Sequence, residues 1–138
     1  MQLANLAIDL MGSVMGVRIK SASTDSLALR QRWTIEDYIN QHFTDDSGIE
    51  GLSRALFLSQ RQTSTLVKKF MGEDFKSIII RRRMELAEIY LRNPELQLDM
   101  IADKVGYRSY SGFELCFKRY FGTTPNEKRN ELLKKNTQ

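Results

Sequence analysis

"GYRSYSGFELCFKRYFGTTP", residues 106–125, decides how this 138-residue chain folds. The chain turns at Gly106 and restarts at Ser109, a residue type whose hydroxyl caps helices. An aromatic and basic helix then runs to a second glycine, Gly122. Thr124 offers an N-cap, Pro125 the first helical position and Glu127 the answering residue of a capping box, so another helix opens at once. Just upstream, Ile101, Ala102 and Val105 give a short helix an apolar pair and a small residue over which a second helix can cross closely. Short helix, tight turn and longer helix together are the anatomy of a helix-turn-helix.

The unit occurs twice. In "LSRALFLSQRQTSTLVKKFMGEDF", residues 52–75, Leu52, Ser53 and Leu56 match Ile101, Ala102 and Val105, and Leu58 matches Tyr107. The second copy carries one extra residue, Arg108, after which Ser59 pairs with Ser109, Val67 with Phe117, Lys68 with Lys118, and Gly72 with Gly122. Asp74 stands where Thr124 does, as the N-cap of a following helix. The longer helices are expected to bury Leu66, Val67 and Phe70 in the first copy, and Phe113, Cys116, Phe117 and Tyr120 in the second. Their opposite faces are left for a partner. Phe57 stands where the second turn has Gly106, so the first turn must be built without a glycine, or its helix pair shifted.

Between the copies, residues 74–93 read as one helix, with Phe75, Ile78, Ile79, Met84, Leu86, Ala87, Tyr90 and Leu91 at helical spacing and Pro94 ending it. About 18 residues at ~1.5 Å each make a rod of roughly 27 Å. One turn of B-DNA is about 34 Å, the distance at which two major-groove readers share one face of the duplex. Arg81, Arg82 and Arg83 point in three directions around this rod, and Arg83 is expected to form an internal ion pair.

The N-terminal quarter is less regular. Residues 2–15 read as an amphipathic helix, packing on the body, ending an upstream domain or dimerising, and residues 21–26, "SASTDS", as a linker. Thr34 and Asp37 fit a capping box, with Trp33 and Tyr38 at the staple positions, so a helix is predicted to start there and to bury Ile35, Tyr38, Ile39 and His42. No strand-like alternation of useful length follows. The fold class is all-α: two helix-turn-helix subdomains, a homeodomain-like pair, bridged by a long linker helix, with an extra N-terminal amphipathic helix. The expected division is a connector over residues 1–30 and a DNA-binding domain over 31–138, with helix-turn-helix units near 49–72 and 98–122.

Charge agrees with a polyanionic partner. The formal net charge is +4, and it is unevenly spread. Residues 31–58 hold two Lys/Arg against five Asp/Glu, whereas residues 59–92 hold eight against four. Positive charge thus begins where the first candidate recognition helix begins. Cys116 is the only cysteine, so no intrachain disulfide and no zinc cluster is expected, and its apolar neighbours mark it as a packing thiol. His42 has no nucleophile plausibly paired with it, and no phosphate-binding glycine loop occurs. Neither an enzyme nor a cofactor is expected. The opening "MQLANLAIDLMG" lacks a basic leader and is too short to span a membrane, so a cytoplasmic protein without a membrane partner is expected.

With the repeat in view, the chain resembles the AraC/XylS family of bacterial transcription regulators over residues 34–133, most specifically in "IADKVGYRSYSGFELCFKRYFGTTPNEKR". The resemblance implies seven helices, a double-stranded DNA target and, as further candidates, RNA polymerase and a second copy joined through an upstream domain or the N-terminal helix. Members of the family usually carry a sensor domain ahead of this module, which thirty residues cannot make, so the chain is expected to be either a stand-alone regulator or the C-terminal piece of a longer protein. Carried over by position, the base-facing residues are Arg61, Ser64 and Thr65 in the first recognition helix, with Lys68 near the DNA backbone. In the second they are Tyr110, Ser111, Glu114 and Leu115. Leu115 and Thr65 stand where many members place arginine, so the second unit is expected to read fewer bases. Backbone contacts are expected from Lys76, Arg81, Lys118, Lys128 and Arg129 and from capped helix N-termini. The alternative is a helical protein-interaction or RNA-associated module using the same basic surface.

Overall fold

The computed structural model describes residues 19–136, so the helix expected over residues 2–15 lies outside the described part. Seven helices, and no strand, occur among the described residues: α1 (Ile19–His42), α2 (Gly48–Leu56), α3 (Gln60–Met71), α4 (Phe75–Leu91), α5 (Leu98–Lys104), α6 (Tyr110–Phe121) and α7 (Pro125–Asn136). Helices α2 and α3 form the first helix-turn-helix, α5 and α6 the second, and α4 joins them. None of the described helices is long and apolar enough to cross a membrane.

The caps follow the sequence. Ser59, in extended conformation, accepts a bond from the Gln62 amide at 3.1 Å, while Gln62 Oε1 accepts from the Ser59 amide at 3.0 Å. Ser109 accepts from the Gly112 amide at 3.2 Å, and Asp74 from the Ser77 amide at 2.8 Å. Thr124 accepts from the Glu127 amide at 3.2 Å and donates to the Glu127 carboxylate at 2.9 Å. Each removes an orphan donor from a helix start.

Two readings of the N-terminal region are corrected. Residues 21–26 are part of α1, not a linker. Thr34 is not an N-cap: it lies inside α1 and its hydroxyl donates back to the Arg30 carbonyl at 2.9 Å. Asp37 instead accepts from Gln41 at 3.0 Å. A threonine followed by an acid at the third position is compatible with a helix interior as well as a start, because the hydroxyl can satisfy itself on the preceding turn. The buried face was read correctly at Ile35 and Ile39, which are shielded from solvent.

The core is in two parts. Ile35, Ile39, Leu52, Val67 and Ile78 make the first, and Met84, Ala87, Leu91, Ile101, Ala102, Val105, Phe113, Phe117 and Leu132 the second. The linker helix contributes to both, Ile78 near its start and Met84, Ala87 and Leu91 beyond, while no described residue belongs to the two together. Its 17 residues make a rod of about 26 Å. Tyr120 departs from expectation: it is 44% exposed and lies edge-on to Phe121, which takes the inward position instead. Cys116 is half-buried and accepts a bond from the Tyr107 hydroxyl at 3.0 Å.

Candidate nucleic-acid interface

The inward residues fix the outward ones. On α3, Thr63 and Val67 are buried, which turns Arg61, Ser64, Thr65 and Lys68 to solvent. On α6, Phe113 and Phe117 are buried and Ser111, Leu115 and Lys118 exposed. Tyr110 and Glu114 are half-buried, and the Tyr110 hydroxyl donates to Glu114 at 3.1 Å. Burial, reinforced by that carboxylate, pushes the Tyr110 phenol above its ordinary value, so it stays a neutral donor. The pair leaves less of Glu114 for a cytosine amine. Leu115, 55% exposed, offers only an apolar surface, one suited to a thymine methyl group. On α3 the Thr65 hydroxyl donates to the Arg61 carbonyl at 3.1 Å, and Arg61 itself stands out from the first turn.

Both recognition helices open on the same side of α4. Ser64 borders a cleft with Lys76 and Ile79, and a second cleft, of about 530 Å³, contains Lys76 and Ile79 together with Gly112, Leu115, Arg119 and Tyr120. Lys76 and Ile79 therefore sit between the exposed faces of α3 and α6. The second cleft also has Arg83 in its wall and no acidic residue among its lining, so three cations border an apolar floor. Arg119 was not among the residues singled out from the sequence. The signal was the basic pair Lys118–Arg119, of which only Lys118 was taken.

The first turn is solved by strain. Phe57 itself adopts the left-handed conformation, φ 57° and ψ 40°, and is the sole non-glycine with positive φ among the described residues. Its ring is 93% exposed, so the side chain gains little burial in return. The helix pair does not need a glycine because the backbone adopts the same sense of turn at a steric cost.

The basic side chains divide into free and engaged. Lys68, Lys76 and Lys118 are exposed. Arg81 holds Glu73 through two nitrogens, at 2.9 and 3.1 Å, and reaches Glu85 at 3.6 Å. Lys128 is 19% exposed, 3.7 Å from Glu88 and over the Phe121 ring. Arg129 donates to the carbonyls of Leu91 and Asn93, both at 3.1 Å, and of Leu96 at 2.6 Å, closing the C-terminal end of α4. Among the described residues Arg83 has no ion-pair partner, contrary to expectation. It donates to the carbonyls of Phe43 and Asp45 and lies over the Tyr107 ring at 5.2 Å.

Two helix-turn-helix units with their recognition faces on one side of a bridging helix define a class, the tandem helix-turn-helix DNA-binding domain. A helix-turn-helix domain family matches residues 52–131, more than half of the chain. The chain belongs to the AraC/XylS family of transcription regulators. The probable transcriptional regulator LumQ of Photobacterium leiognathi is 32% identical over 91 residues, 66% of this chain and 37% of that protein. The chain spans about a third of the length of the first curated relatives it matches. Among solved structures, the C-terminal domain of the two-component response regulator yesN from Fusobacterium nucleatum is 33% identical. It has a TM-score of 0.66, covering 69% of this chain and 93% of that one. The C-terminal domain of AraT, a response regulator from Geobacillus stearothermophilus, is 31% identical with a TM-score of 0.67, covering 76% and 84%.

Proposed function

We propose that this chain binds double-stranded DNA sequence-specifically, places α3 and α6 in successive major-groove segments, and thereby regulates transcription. The observation that carries the reading is the sharing of Lys76 and Ile79 by the two clefts beneath Ser64 and Leu115. A recognition pair opening on one side of a rod of about 26 Å suits neighbouring turns of one duplex face without a second copy.

Arg61 is the principal base reader, because its guanidinium can grip guanine O6 and N7 with two bonds. Ser64 and Thr65 contact bases or phosphates beside it. In the second unit Tyr110, Ser111, Glu114 and Leu115 face the groove, with less hydrogen-bonding capacity to spare. Lys68, Lys76 and Lys118 neutralise phosphates, joined by Arg119. Arg81, Lys128 and Arg129 leave that set, since Arg81 and Lys128 pair with Glu73 and Glu88 and the Arg129 donors are taken by backbone carbonyls. The protein acts as a non-enzymatic regulator in the cytoplasm, with RNA polymerase and a homodimer partner reached through other segments.

Titration of a labelled duplex selected from a random pool, of scrambled duplex and of single-stranded RNA tests this. The selected duplex should bind at least 10³-fold more tightly than the scrambled one, roughly the lower bound for specific sites, with affinity falling steeply as salt rises. Equal binding to all three would favour the interaction-module or RNA-associated alternative.

A further inference from the structure

The two units have separate cores, so something other than apolar packing must fix one against the other. Helix α4 is part of the answer, but a helix resists bending better than it fixes what is attached at its two ends. The structure places a polar junction at that point. The loop between α1 and α2 belongs to the first unit, and the turn between α5 and α6 to the second. They meet across the middle of α4.

Four residues, Arg83, Gly106, Tyr107 and Arg108, make the junction. Arg83, half-way along α4, donates to the carbonyls of Phe43 and Asp45 in the first unit and spreads its guanidinium over the Tyr107 ring of the second. Tyr107 is held in turn by its hydroxyl on Cys116 of α6. Gly106 is at φ 107°, and a Cβ there would lie 2.7 Å from the Thr44 carbonyl oxygen and 2.9 Å from Arg83 Cζ. The backbones of the two units therefore approach to a distance that no other residue permits. Arg108, the extra residue of the second copy, forms a 2.8 Å ion pair with Asp46. The single insertion that distinguishes the two repeats thus lands on the one loop that reaches across.

Resting on the DNA-binding reading above, we propose that Arg83 and Gly106 are positioning residues. Seated between the Thr44–Asp46 backbone and Tyr107, they set the angle and spacing between α3 and α6, and hence the distance between the two base-pair segments that the chain accepts. Neither touches DNA in this role. Binding through two rigidly related units gains from a high effective concentration of the second once the first is docked. Loosening the junction lowers that concentration while leaving each unit's own contacts intact.

The test uses the full chain and a duplex it selects from a random pool. Companion duplexes have one segment scrambled, or one or two base pairs inserted between segments. The wild-type protein should lose affinity sharply on insertion. Arg83→Met and Gly106→Ala should bind the parent duplex about tenfold more weakly, bind the single-segment duplexes as the wild type does, and show a much smaller insertion penalty. Spin labels at Lys69→Cys and Arg119→Cys, in a Cys116→Ser background, should report a broader distance distribution when Arg83→Met is added. Should either variant fail to fold, the exposed pair decides. Asp46→Arg should shrink the insertion penalty, and adding Arg108→Asp should restore it. Variants with wild-type parent affinity and insertion penalty would overturn the proposal, and so would equal losses on single-segment and parent duplexes. A wild-type protein that selects no duplex would instead sink the DNA-binding reading itself.

Discussion

Replacing Arg129 by methionine separates two roles that sequence and structure assign to one side chain. As a surface cation Arg129 would hold a phosphate, but in the fold it donates three bonds to the carbonyls of Leu91, Asn93 and Leu96. Those groups end α4 and begin the loop that turns into α5, and the helix itself leaves its last carbonyls without partners. A hydrogen bond involving a charged group is worth about 1.5–3 kcal/mol. Three on one guanidinium do not add, because the carbonyl of Asn93, itself an exposed residue, can take water when the donor is lost. Methionine keeps the aliphatic stem, so the packing contribution largely survives. The expected cost of Arg129→Met is about 2–3 kcal/mol, or roughly 7–12 °C in midpoint for a domain of this size. Arg129→Lys should recover little, since an ammonium cannot fork across three acceptors. Thermal and urea unfolding followed by circular dichroism gives the stability, and duplex titration at a temperature where all forms are folded gives the affinity. A variant melting within about 2 °C of wild type and binding every duplex more weakly would refute the reasoning and return Arg129 to the phosphate set.

Other consequences are simpler to state. Arg61→Ala should cost at least about 1 kcal/mol of discrimination between the selected and a mutated duplex, read by competition titration; full retention would remove it as a base reader. Lys118→Ala should weaken all duplexes alike and make the slope of log affinity on log salt shallower by about 1, and a loss confined to one sequence would show it sorted wrongly. Phe57→Gly should stabilise the fold by roughly 0.5–1 kcal/mol, because it relieves a left-handed phenylalanine that buries almost nothing, and a destabilised variant in urea unfolding would contradict this. The Ser77 amide holds the Asp74 carboxyl below its ordinary value, so its contribution is complete above the unfolded-state value and lost as pH falls through the folded one. Asp74→Asn should therefore show a gentler loss of stability below about pH 4, and an unchanged acid limb would argue against that linkage.

The legible parts of this fold are those with local causes. Ser59 with Gln62, and Thr124 with Glu127, announce helix starts because both partners of each cap lie within four residues. The repeat was legible for a similar reason, since each copy carries its own apolar pair, cap and basic ending. The misread start of α1 shows the limit of local signals: Thr34 satisfies its hydroxyl on Arg30, and nothing nearby forbids the helix from continuing upstream. The fates of Arg83 and Arg129 were hidden because their acceptors lie 36 to 40 residues away for the Phe43 and Asn93 carbonyls, and a backbone carbonyl has no sequence signature. Tyr120 was misassigned because Phe121, its neighbour, competes for the same inward position. At the site, the residues carried over by position from the family pattern fall on solvent at Arg61, Ser64, Thr65, Ser111 and Leu115, while Tyr110 and Glu114 are half-buried. Which cations were free depended on acids such as Glu73 and Glu88, brought in by the tertiary fold.

The most direct test of the central claim is a hydroxyl-radical footprint of the chain on a selected duplex, with the stoichiometry of the same complex measured by light scattering. One chain per duplex should protect two patches on a single face of the helix, about 10 base pairs apart. A single patch per chain, or two patches half a turn out of phase, would contradict it.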